Sequence, residues 1–223
     1  MSNLNYKKWD KVFSKSNWGS YASEDLIRFI ATYAKKKKQT KRIIEIGSGN
    51  GANFNLFLDK SLKIDGIDFS KIAIDNTKKI FNKQIKKQKI KLFRGDLRSF
   101  IFPINCYDFL VDNCVTCCLN FNDTKNFYAS IHSSLKKKAK IYIRTFSKGC
   151  WGDKTGKKLS YNTYLPATKW AKNLGSQRFS SYGDLKIILD KKYKILSIEK
   201  ITRTLNSQKY LIKEWVVHAE KKE

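Results

Sequence analysis

Residues 43–51 read IIEIGSGNG, and they are the most informative part of the sequence for the architecture of the protein. A short β-branched run ends directly in three glycines, Gly47, Gly49 and Gly51, which is typical of a buried parallel strand followed by a tight turn. Glycine has no Cβ atom, so the backbone can turn sharply and approach a ligand, and a helix that begins there presents unpaired N–H groups. The stretch predicts a strand, a ligand-binding turn and a helix in succession.

The alternation of strands and helices continues on both sides of this stretch. Predicted strands are Arg42–Ile46, Lys63–Asp68, Ile90–Arg94, Tyr107–Asp112, Lys140–Thr145, Lys194–Thr202 and Trp215–Glu220. Predicted helices are Gly51–Lys60, Ser70–Gln84, Thr124–Leu135 and Tyr182–Asp190, with Ser70 and Asp123 as caps. A further helix, capped by Ser23, precedes the first strand, because apolar residues recur at helical spacing at Ala22, Leu26, Phe29, Ile30 and Tyr33. This order predicts an α/β fold with one mixed sheet of about seven strands, mostly parallel, an antiparallel C-terminal hairpin and helices on both faces.

The chain divides into four segments of one predicted domain. Residues 1–41 form an N-terminal helical cap and residues 42–146 a cofactor-binding core. Residues 147–181 form an insertion or lid, and residues 182–223 contribute the last helix and strands. The insertion is polar, aromatic and without a clear period, and long segments of this kind in compact domains are usually lids or binding loops.

Charge is the most unusual feature of the composition. The 223-residue chain carries 46 basic and 19 acidic residues, a net charge of +27, which suits RNA or an acidic membrane surface. Only seven of the basic residues are arginine, the side chain preferred for bidentate phosphate recognition, so solvated surface lysines are the favoured interpretation and a nucleic-acid partner the alternative. No feature indicates an oligomeric state.

The cellular location is predicted from the N-terminus, the apolar runs and the number of cysteines. The polar N-terminus resembles neither a signal peptide nor an anchor, and no apolar run is long enough for a membrane span. Five cysteines are an odd number in a chain of this size, which favours reduced thiols. We therefore expect a cytoplasmic protein with no membrane partner.

A carboxylate at the end of the second strand indicates which class of ligand the glycine turn binds. Asp68 follows Gly47 by 21 residues and can accept hydrogen bonds from both ribose hydroxyls of an adenosine. Dinucleotide sites require G-x-G-x-x-G, whereas this chain has Ala52 at the third glycine position and Glu45 close to where a diphosphate would lie. S-adenosylmethionine has no phosphate and carries a positive sulfonium, so acidic residues are acceptable around it. A dehydrogenase is accordingly disfavoured.

These residues resemble the class I, Rossmann-like methyltransferases. The resemblance implies that Glu45, Gly47, Ser48, Gly49 and Gly51 surround the methionine and ribose portion of S-adenosylmethionine. It further implies that Asp68 binds the ribose and that Phe69 lies beside the adenine. Asp96 and Leu97, in Gly95-Asp96-Leu97, match the adenine-contacting motif of the family. The fourth strand, ending at Asp112, would face the transferred methyl group.

Asp112 and Asn113 are the best-placed polar residues for the chemistry. Methyl transfer is an in-line displacement at an activated carbon, so an enzyme mainly positions the nucleophile and removes its proton. Asp112 is a candidate catalytic base. An alternative of equal weight is that Asp112 caps a turn and Asn113 binds the cofactor.

Aromatic residues before and after the core are candidate covers for the cleft. Trp18 and Tyr21, with Trp9 and Phe13, would lie over the cofactor and shield its sulfonium, or instead plug the sheet edge. The insertion contributes a second aromatic set, either a substrate lid or a small separate core: Trp151, Tyr161, Tyr164 and Trp170. Arg144 and Arg178 would suit an acidic substrate if they point into the cleft.

The cysteine-rich segment 114–118 does not predict a metal site. A single C-x-x-C without nearby histidines supplies too few ligands for structural zinc, and buried thiols are the favoured interpretation. The segment also lacks the motifs of RNA cytosine and adenine-amino methyltransferases. The leading hypothesis is therefore methylation of an oxygen or nitrogen on a small molecule or glycan precursor. An RNA methyltransferase and a cofactor-binding module without turnover are the alternatives.

Overall fold

The computed structural model describes residues 3–15, 19–35, 40–168 and 174–223. The helices are α1 (Asn3–Lys15), α2 (Glu24–Tyr33), α3 (Phe54–Asp59), α4 (Lys71–Ile80), α5 (Asn82–Lys86), α6 (Phe121–Ile131) and α7 (Tyr182–Leu189). The core strands are β1 (Arg42–Ile46), β2 (Lys63–Asp68), β3 (Ile90–Arg94), β4 (Tyr107–Asn113), β5 (Leu135–Phe146), β9 (Tyr193–Leu205) and β10 (Tyr210–Lys221). Three short strands, β6 (Lys157–Ser160), β7 (Thr163–Leu165) and β8 (Gln177–Arg178), lie in the insertion.

The core strands form one seven-stranded sheet in the order β3-β2-β1-β4-β5-β10-β9. Strands β1 to β5 pair in parallel, and β10 pairs antiparallel with both β5 and β9. This confirms the predicted fold class. The order in which the chain crosses the sheet reverses between β1 and β4, and ligands of open α/β sheets bind at the carboxyl ends of the strands at such a switch point.

The isoleucines of strand β1 are buried on both faces of the sheet. Ile44 and Ile46 are buried in a cluster with residues of α6 and α7, whereas Ile43 is buried on the other face with Phe29 of α2 and Phe54 of α3. Burial on both faces removes the alternating polar positions of a half-exposed strand. This packing fixes the glycine turn directly after Ile46.

Two predicted helix caps differ in the structure. Ser23 precedes α2 but makes no side-chain capping bond, and its Oγ lies 3.3 Å from the Tyr142 hydroxyl instead. Helix α6 begins three residues earlier than predicted, because Asn120 caps it by accepting a hydrogen bond from the Asp123 N–H at 2.8 Å. Ser70 caps α4 as expected, accepting from the Ala73 N–H.

The insertion carries order that the sequence did not reveal. Its strands form an antiparallel sheet in the order β6-β7-β8, which packs near the end of β5. Helix α1, which belongs to the predicted N-terminal helical cap, lies over α4, where Asn76 Nδ2 donates to the Phe13 carbonyl. Among the described residues, no helix has the length and apolarity needed to cross a membrane.

Candidate active site

A cleft of about 290 Å³ opens at the carboxyl ends of the parallel strands. Helix α1 covers it from one side, with Trp9 and Phe13 facing inward, and the insertion covers it from the other, with Leu174 and Gln177. The cleft runs from the loops after β3, β2 and β1 to the turns after β4 and β5. Those two ends are called the β3 end and the β5 end below.

The glycine turn needs its glycines for two different reasons. Gly47 and Gly49 have φ angles of +56° and +53°, a left-handed region that disfavours side chains. A Cβ on Gly49 would lie 3.1 Å from the Phe13 ring, so Gly49 lets α1 close against the turn. Gly51 does not line the cleft: a Cβ there would lie 2.8 Å from the Phe81 ring. The structure therefore shows a packing reason for the glycine at position 51, and its part in cofactor binding stays a prediction.

Asp68 ties the end of β2 to the glycine turn. Its Oδ2 accepts from the Gly49 N–H at 2.9 Å and its Oδ1 from the Ser70 N–H at 2.8 Å. Burial raises the pKa of Asp68 to about 6, the two backbone N–H donors oppose the rise, and the charge of Asp10 adds to it. The carboxylate keeps lone pairs free for hydroxyl donors, since each of its oxygens accepts one of these two bonds.

Three buried oxygen atoms at the cleft have no protein partner. They are Glu45 Oε2, Ser48 Oγ and Asn53 Oδ1, and all three residues line the cleft. The other Glu45 oxygen accepts a hydrogen bond from Asn53 Nδ2. Burial raises the pKa of Glu45 to about 8, an effect that the Asn53 bond opposes and the Asp68 charge strengthens. An unpaired carboxylate oxygen and two neutral oxygens suit a ligand that carries positive charge and N–H donors.

An acidic residue and its basic partner line the β3 end of the cleft. Asp96 is bonded to the Arg98 guanidinium, which lowers the pKa of this carboxyl. The charge of Asp123 also acts on Arg98, so Asp123 lies on this side of the cleft. Arg98 is the sole basic side chain among the described residues that line the cleft.

The structure brings most of the predicted site residues to this one cleft. Ten of the thirteen line it: Tyr21, Glu45, Gly47, Ser48, Gly49, Asp68, Phe69, Asp96, Leu97 and Asn113. Tyr21 lies at the rim, with 89% of its surface exposed. Trp18 and Trp170 lie outside the described residues, and Gly51 and Asp112 lie away from the cleft wall.

Asp112 is a structural anchor rather than a group that faces the cleft. It is fully buried, and its carboxylate accepts from the Val115 and Thr116 N–H groups, the Thr116 hydroxyl and the Tyr128 hydroxyl at 2.5–3.1 Å. Burial raises the pKa of Asp112, and these donors oppose the rise. The base prediction is corrected: of the two interpretations, the geometry favours the turn cap.

Arg144 and Arg178 do not point into the cleft. Arg144 is paired with the buried Glu214 at 2.5 Å. Arg178 is 1% exposed and donates to the carbonyls of Thr116 and Leu119, at 3.4 and 3.3 Å. The condition for these arginines to bind an acidic substrate is therefore not met, because neither side chain lines the cleft.

Residues at the β5 end were not predicted from the sequence as cleft residues. They come from the turn after β4, from β5 and from the insertion: Cys114, Cys118, Leu119, Phe146, Leu174 and Gln177. Gln177 lies in a segment without periodicity, so no sequence signal could have found it. The cysteines were noticed but interpreted as packing. In the part of the chain that the structure describes, no three cysteine, histidine or acidic side chains are arranged to hold a metal ion.

The parallel sheet with its switch point, the glycine turn and the acidic residues near the carboxyl ends of β1, β2 and β3 define a class I, Rossmann-like methyltransferase that uses S-adenosylmethionine. The unpartnered oxygens fit that cofactor, whose methionine part carries a sulfonium and an ammonium group. When bound, it supplies an electrophilic methyl carbon.

Comparison with known proteins gives the family. The chain belongs to the methyltransferase domain family, which matches residues 18–197. A curated relative, malonyl-[acyl-carrier protein] O-methyltransferase 2 of Ilyobacter polytropus, is 26% identical over 206 residues, covering 88% of this chain and 73% of that protein.

Two solved structures have the same fold at low sequence identity. An S-adenosylmethionine-dependent methyltransferase of Methanosarcina mazei superposes with a TM-score of 0.69 at 17% identity, over 86% of this chain and 96% of the other. The 1,6-didemethyltoxoflavin-N1-methyltransferase of Burkholderia thailandensis, solved with S-adenosylhomocysteine, gives 0.69 at 13% identity, over 98% and 84%.

Proposed function

We propose that this methyltransferase acts on a small molecule and that the ten cleft residues named above bind the cofactor. The observation that carries the proposal is the shape and charge of the cleft. It is covered on two sides by α1 and the insertion, and its one described basic side chain, Arg98, is bonded to Asp96. A covered cleft without free cations suits a small acceptor better than a nucleic-acid backbone.

The relatives are in keeping with a small acceptor group. One is named as an O-methyltransferase of malonyl-[acyl-carrier protein], and another was solved with bound 1,6-didemethyltoxoflavin. If the cofactor lies over β1 to β3, the β5 end of the cleft is left for such an acceptor. We also propose a cytoplasmic location, in keeping with the five free cysteines.

RNA is the second candidate, because the net charge of +27 favours a polyanion. An RNA methyltransferase would need cations at the cleft, and the described lining offers only a paired one. A binding module without turnover is the third. The unpartnered Glu45 and Ser48 oxygens argue that the cofactor site itself is intact.

The test is transfer of labelled methyl from S-adenosylmethionine to a metabolite extract and, separately, to total RNA at several salt concentrations. We expect label in the small-molecule fraction. Label confined to RNA, with transfer falling steeply as salt rises, would assign the second function. Cofactor binding by calorimetry without transfer to either fraction would assign the third. An Asp68→Ala variant provides the control for transfer that does not depend on this site.

A further inference from the structure

The β5 end of the cleft has an unusual set of titratable groups. Glu45, Asp68, Asp96 and Asp123 belong to the other end, and Asp112 and Glu214 lie behind the wall. The described residues that line the β5 end include no carboxylate, histidine, lysine or arginine. The titratable side chains there are the thiols of Cys114 and Cys118, both half-buried.

The two thiols have opposite hydrogen-bonding roles. Cys114 Sγ lies 3.8 Å from Glu214 Oε1 and donates to this carboxylate. Cys118 Sγ instead accepts from the Gln177 amide nitrogen at 3.6 Å. The orientation of that amide is fixed, because its oxygen accepts from the Cys117 thiol at 3.6 Å and its nitrogen also donates to the Leu174 carbonyl. Cys118 is therefore the sulfur atom whose surroundings favour negative charge.

The protein holds Cys118 in place from two sides. Asp112 anchors the preceding turn through the Val115 and Thr116 N–H groups. On the insertion side, Ser176 Oγ donates to the Cys118 carbonyl at 2.8 Å and Arg178 to the next carbonyl along the chain. These contacts come from residues on either side of Gln177, so the amide and the thiol are positioned by the same short strand.

Resting on the proposed function, we propose that Cys118 is the proton acceptor of the methyl-transfer reaction and that the acceptor substrate is a neutral, weakly acidic thiol or phenol. Its apolar body would lie against Phe146, Leu174 and Leu119. A thiol or phenol has a pKa of about 8.5 to 10, within reach of a thiolate, whereas an aliphatic alcohol is far too weak an acid.

Other acceptor classes fit this end less well. An ammonium group would meet no carboxylate at the β5 end and would be repelled by the sulfonium. A carboxylate or phosphate would find no free cation among the described residues of the cleft, where Arg98 is bonded to Asp96, and Arg144 and Arg178 are bonded to protein oxygens behind the wall. The relative that methylates a malonyl group therefore does not predict the acceptor of this chain.

The step balances without a further reagent. The S–H or O–H proton of the substrate moves to Cys118 Sγ, and the substrate anion attacks the methyl carbon. The carbon–sulfonium bond breaks with its electron pair remaining on sulfur, giving S-adenosylhomocysteine and the methyl thioether or ether. Cys118 then returns its proton to solvent.

Electrostatics supports this role for Cys118. Hydrogen bonding with Cys117 lowers the pKa of the Cys118 thiol, burial opposes the change, and the Gln177 amide and Arg178 lower it further. The charge of Asp112 acts in the opposite direction. A base whose pKa lies close to the working pH combines a usable thiolate fraction with a sufficient affinity for the proton.

The first readout is the ionisation of the thiol itself. In the full-length protein, the rate of iodoacetamide alkylation of each cysteine is followed by mass spectrometry between pH 6 and 10. We expect Cys118 to reach half of its maximal rate at a lower pH than Cys106, which is half-buried outside the cleft. Gln177→Leu should move the Cys118 midpoint upward and leave the Cys106 midpoint unchanged. A Cys118 midpoint at or above that of Cys106 would overturn the proposal.

The second readout is turnover with the extract fraction that accepts label. Cys118→Ser and Cys118→Ala should both reduce kcat at least tenfold while leaving cofactor affinity within about twofold, and the acidic limb of the pH profile should disappear. Cys106→Ala is the matched control and should behave as the unchanged protein. If kcat and the pH profile were unaltered in both Cys118 variants, Cys118 would not be the proton acceptor.

Product chemistry tests the substrate class in the same reaction. Thioethers and aryl ethers keep the label in mild alkali, whereas methyl esters release it as methanol, and mass spectrometry identifies an N-methyl product. A methyl ester or N-methylamine would overturn the inference while leaving the small-molecule function intact. If no small-molecule fraction accepts label, the proposed function itself has failed.

Discussion

The carboxylate of Asp68 accepts a hydrogen bond from the backbone N–H of Gly49 at 2.9 Å, so the acid at the end of β2 holds the glycine turn that follows β1. The two features that the sequence places 19 residues apart are one structural unit. The turn is therefore shaped before any ligand binds, which reduces the ordering that binding must impose.

Replacing Asp68 should weaken cofactor binding and also loosen the turn. We expect Asp68→Ala to raise the Kd for S-adenosylmethionine at least tenfold, about 1.4 kcal/mol, because the ribose hydroxyls lose their acceptor. Two buried N–H groups would also lose theirs, which should lower the free energy of unfolding by roughly 1–3 kcal/mol. Calorimetry and urea unfolding measure the two effects. Asp68→Ala with unchanged affinity would remove the ribose assignment.

Gly49 is expected to be sensitive even to a single methyl group. A Cβ at φ +53° would lie 3.1–3.2 Å from the Phe13 ring, so Gly49→Ala should displace α1 and Gly49→Val should also obstruct the cleft. We expect Gly49→Ala to lower cofactor affinity and Gly49→Val to lower it further. Both variants should lose about 1–2 kcal/mol in the free energy of unfolding because of the left-handed backbone.

The control for Gly49 is Gly183→Ala, because the nearest atom to its added Cβ would be Ser181 Oγ at 3.8 Å. Gly49→Ala combined with Phe13→Ala removes the ring contact and leaves the backbone strain. Partial recovery of affinity in the double variant would assign the effect to α1. A folded Gly49→Val protein with normal affinity would show that this turn does not contact the cofactor.

The elements near the glycine turn could be predicted because each obeys a local rule. The β-branched isoleucines of Arg42–Ile46 are buried on both faces, and the bounds of β1, β2 and β3 agree with the sequence prediction to the residue. The cofactor half of the cleft follows from these strand ends. Predicting this half needs only the rule that the carboxyl ends of parallel strands lie at the same edge of the sheet.

The acceptor half could not be predicted because it depends on contacts between distant segments. Gln177 lies at the cleft between Ser176 and Arg178, which both bind the turn after β4, Arg178 at Leu119, 59 residues earlier in the chain. Asp112 was a candidate base because it ends a strand at the correct edge. Its carboxylate is turned away from the cleft by Tyr128, a contact that neither residue's position in the sequence reveals.

Cofactor binding should release a proton near pH 7, and Glu45 should be its source. Burial raises the pKa of Glu45 to about 8, so the carboxyl is mostly protonated in the free protein at pH 7. A cationic ligand beside it favours the carboxylate and lowers this pKa. Calorimetry at pH 7 in phosphate and in Tris should therefore give different apparent enthalpies. The difference should vanish at pH 9 and in Glu45→Gln.

Glu45 also determines the direction in which its own contribution to stability changes with pH. Because the folded pKa of Glu45 exceeds its unfolded value, the folded state binds more protons between about pH 4.5 and 8, and the contribution of Glu45 to stability falls as pH rises through that range. Urea unfolding of the free protein should show this decline, and the Glu45→Gln variant should show less of it. Identical slopes in the two proteins would mean that Glu45 is ionised throughout.

Asp112→Asn separates a structural role from a catalytic one. An amide has one acceptor oxygen where the carboxylate has two, and its N–H₂ group would face the Thr116 and Tyr128 donors, so we expect a loss of roughly 2–3 kcal/mol in the free energy of unfolding. Tyr128→Phe removes a single donor and should cost about 1 kcal/mol.

Turnover is compared at a temperature where both variants are fully folded. We expect kcat to change, because the Cys114–Leu119 turn that Asp112 anchors is displaced. The pH profile should therefore keep its shape. A stable Asp112→Asn protein that has lost turnover together with the acidic limb of its profile would restore Asp112 as the base, and it would show that the carboxylate reaches the cleft during the reaction.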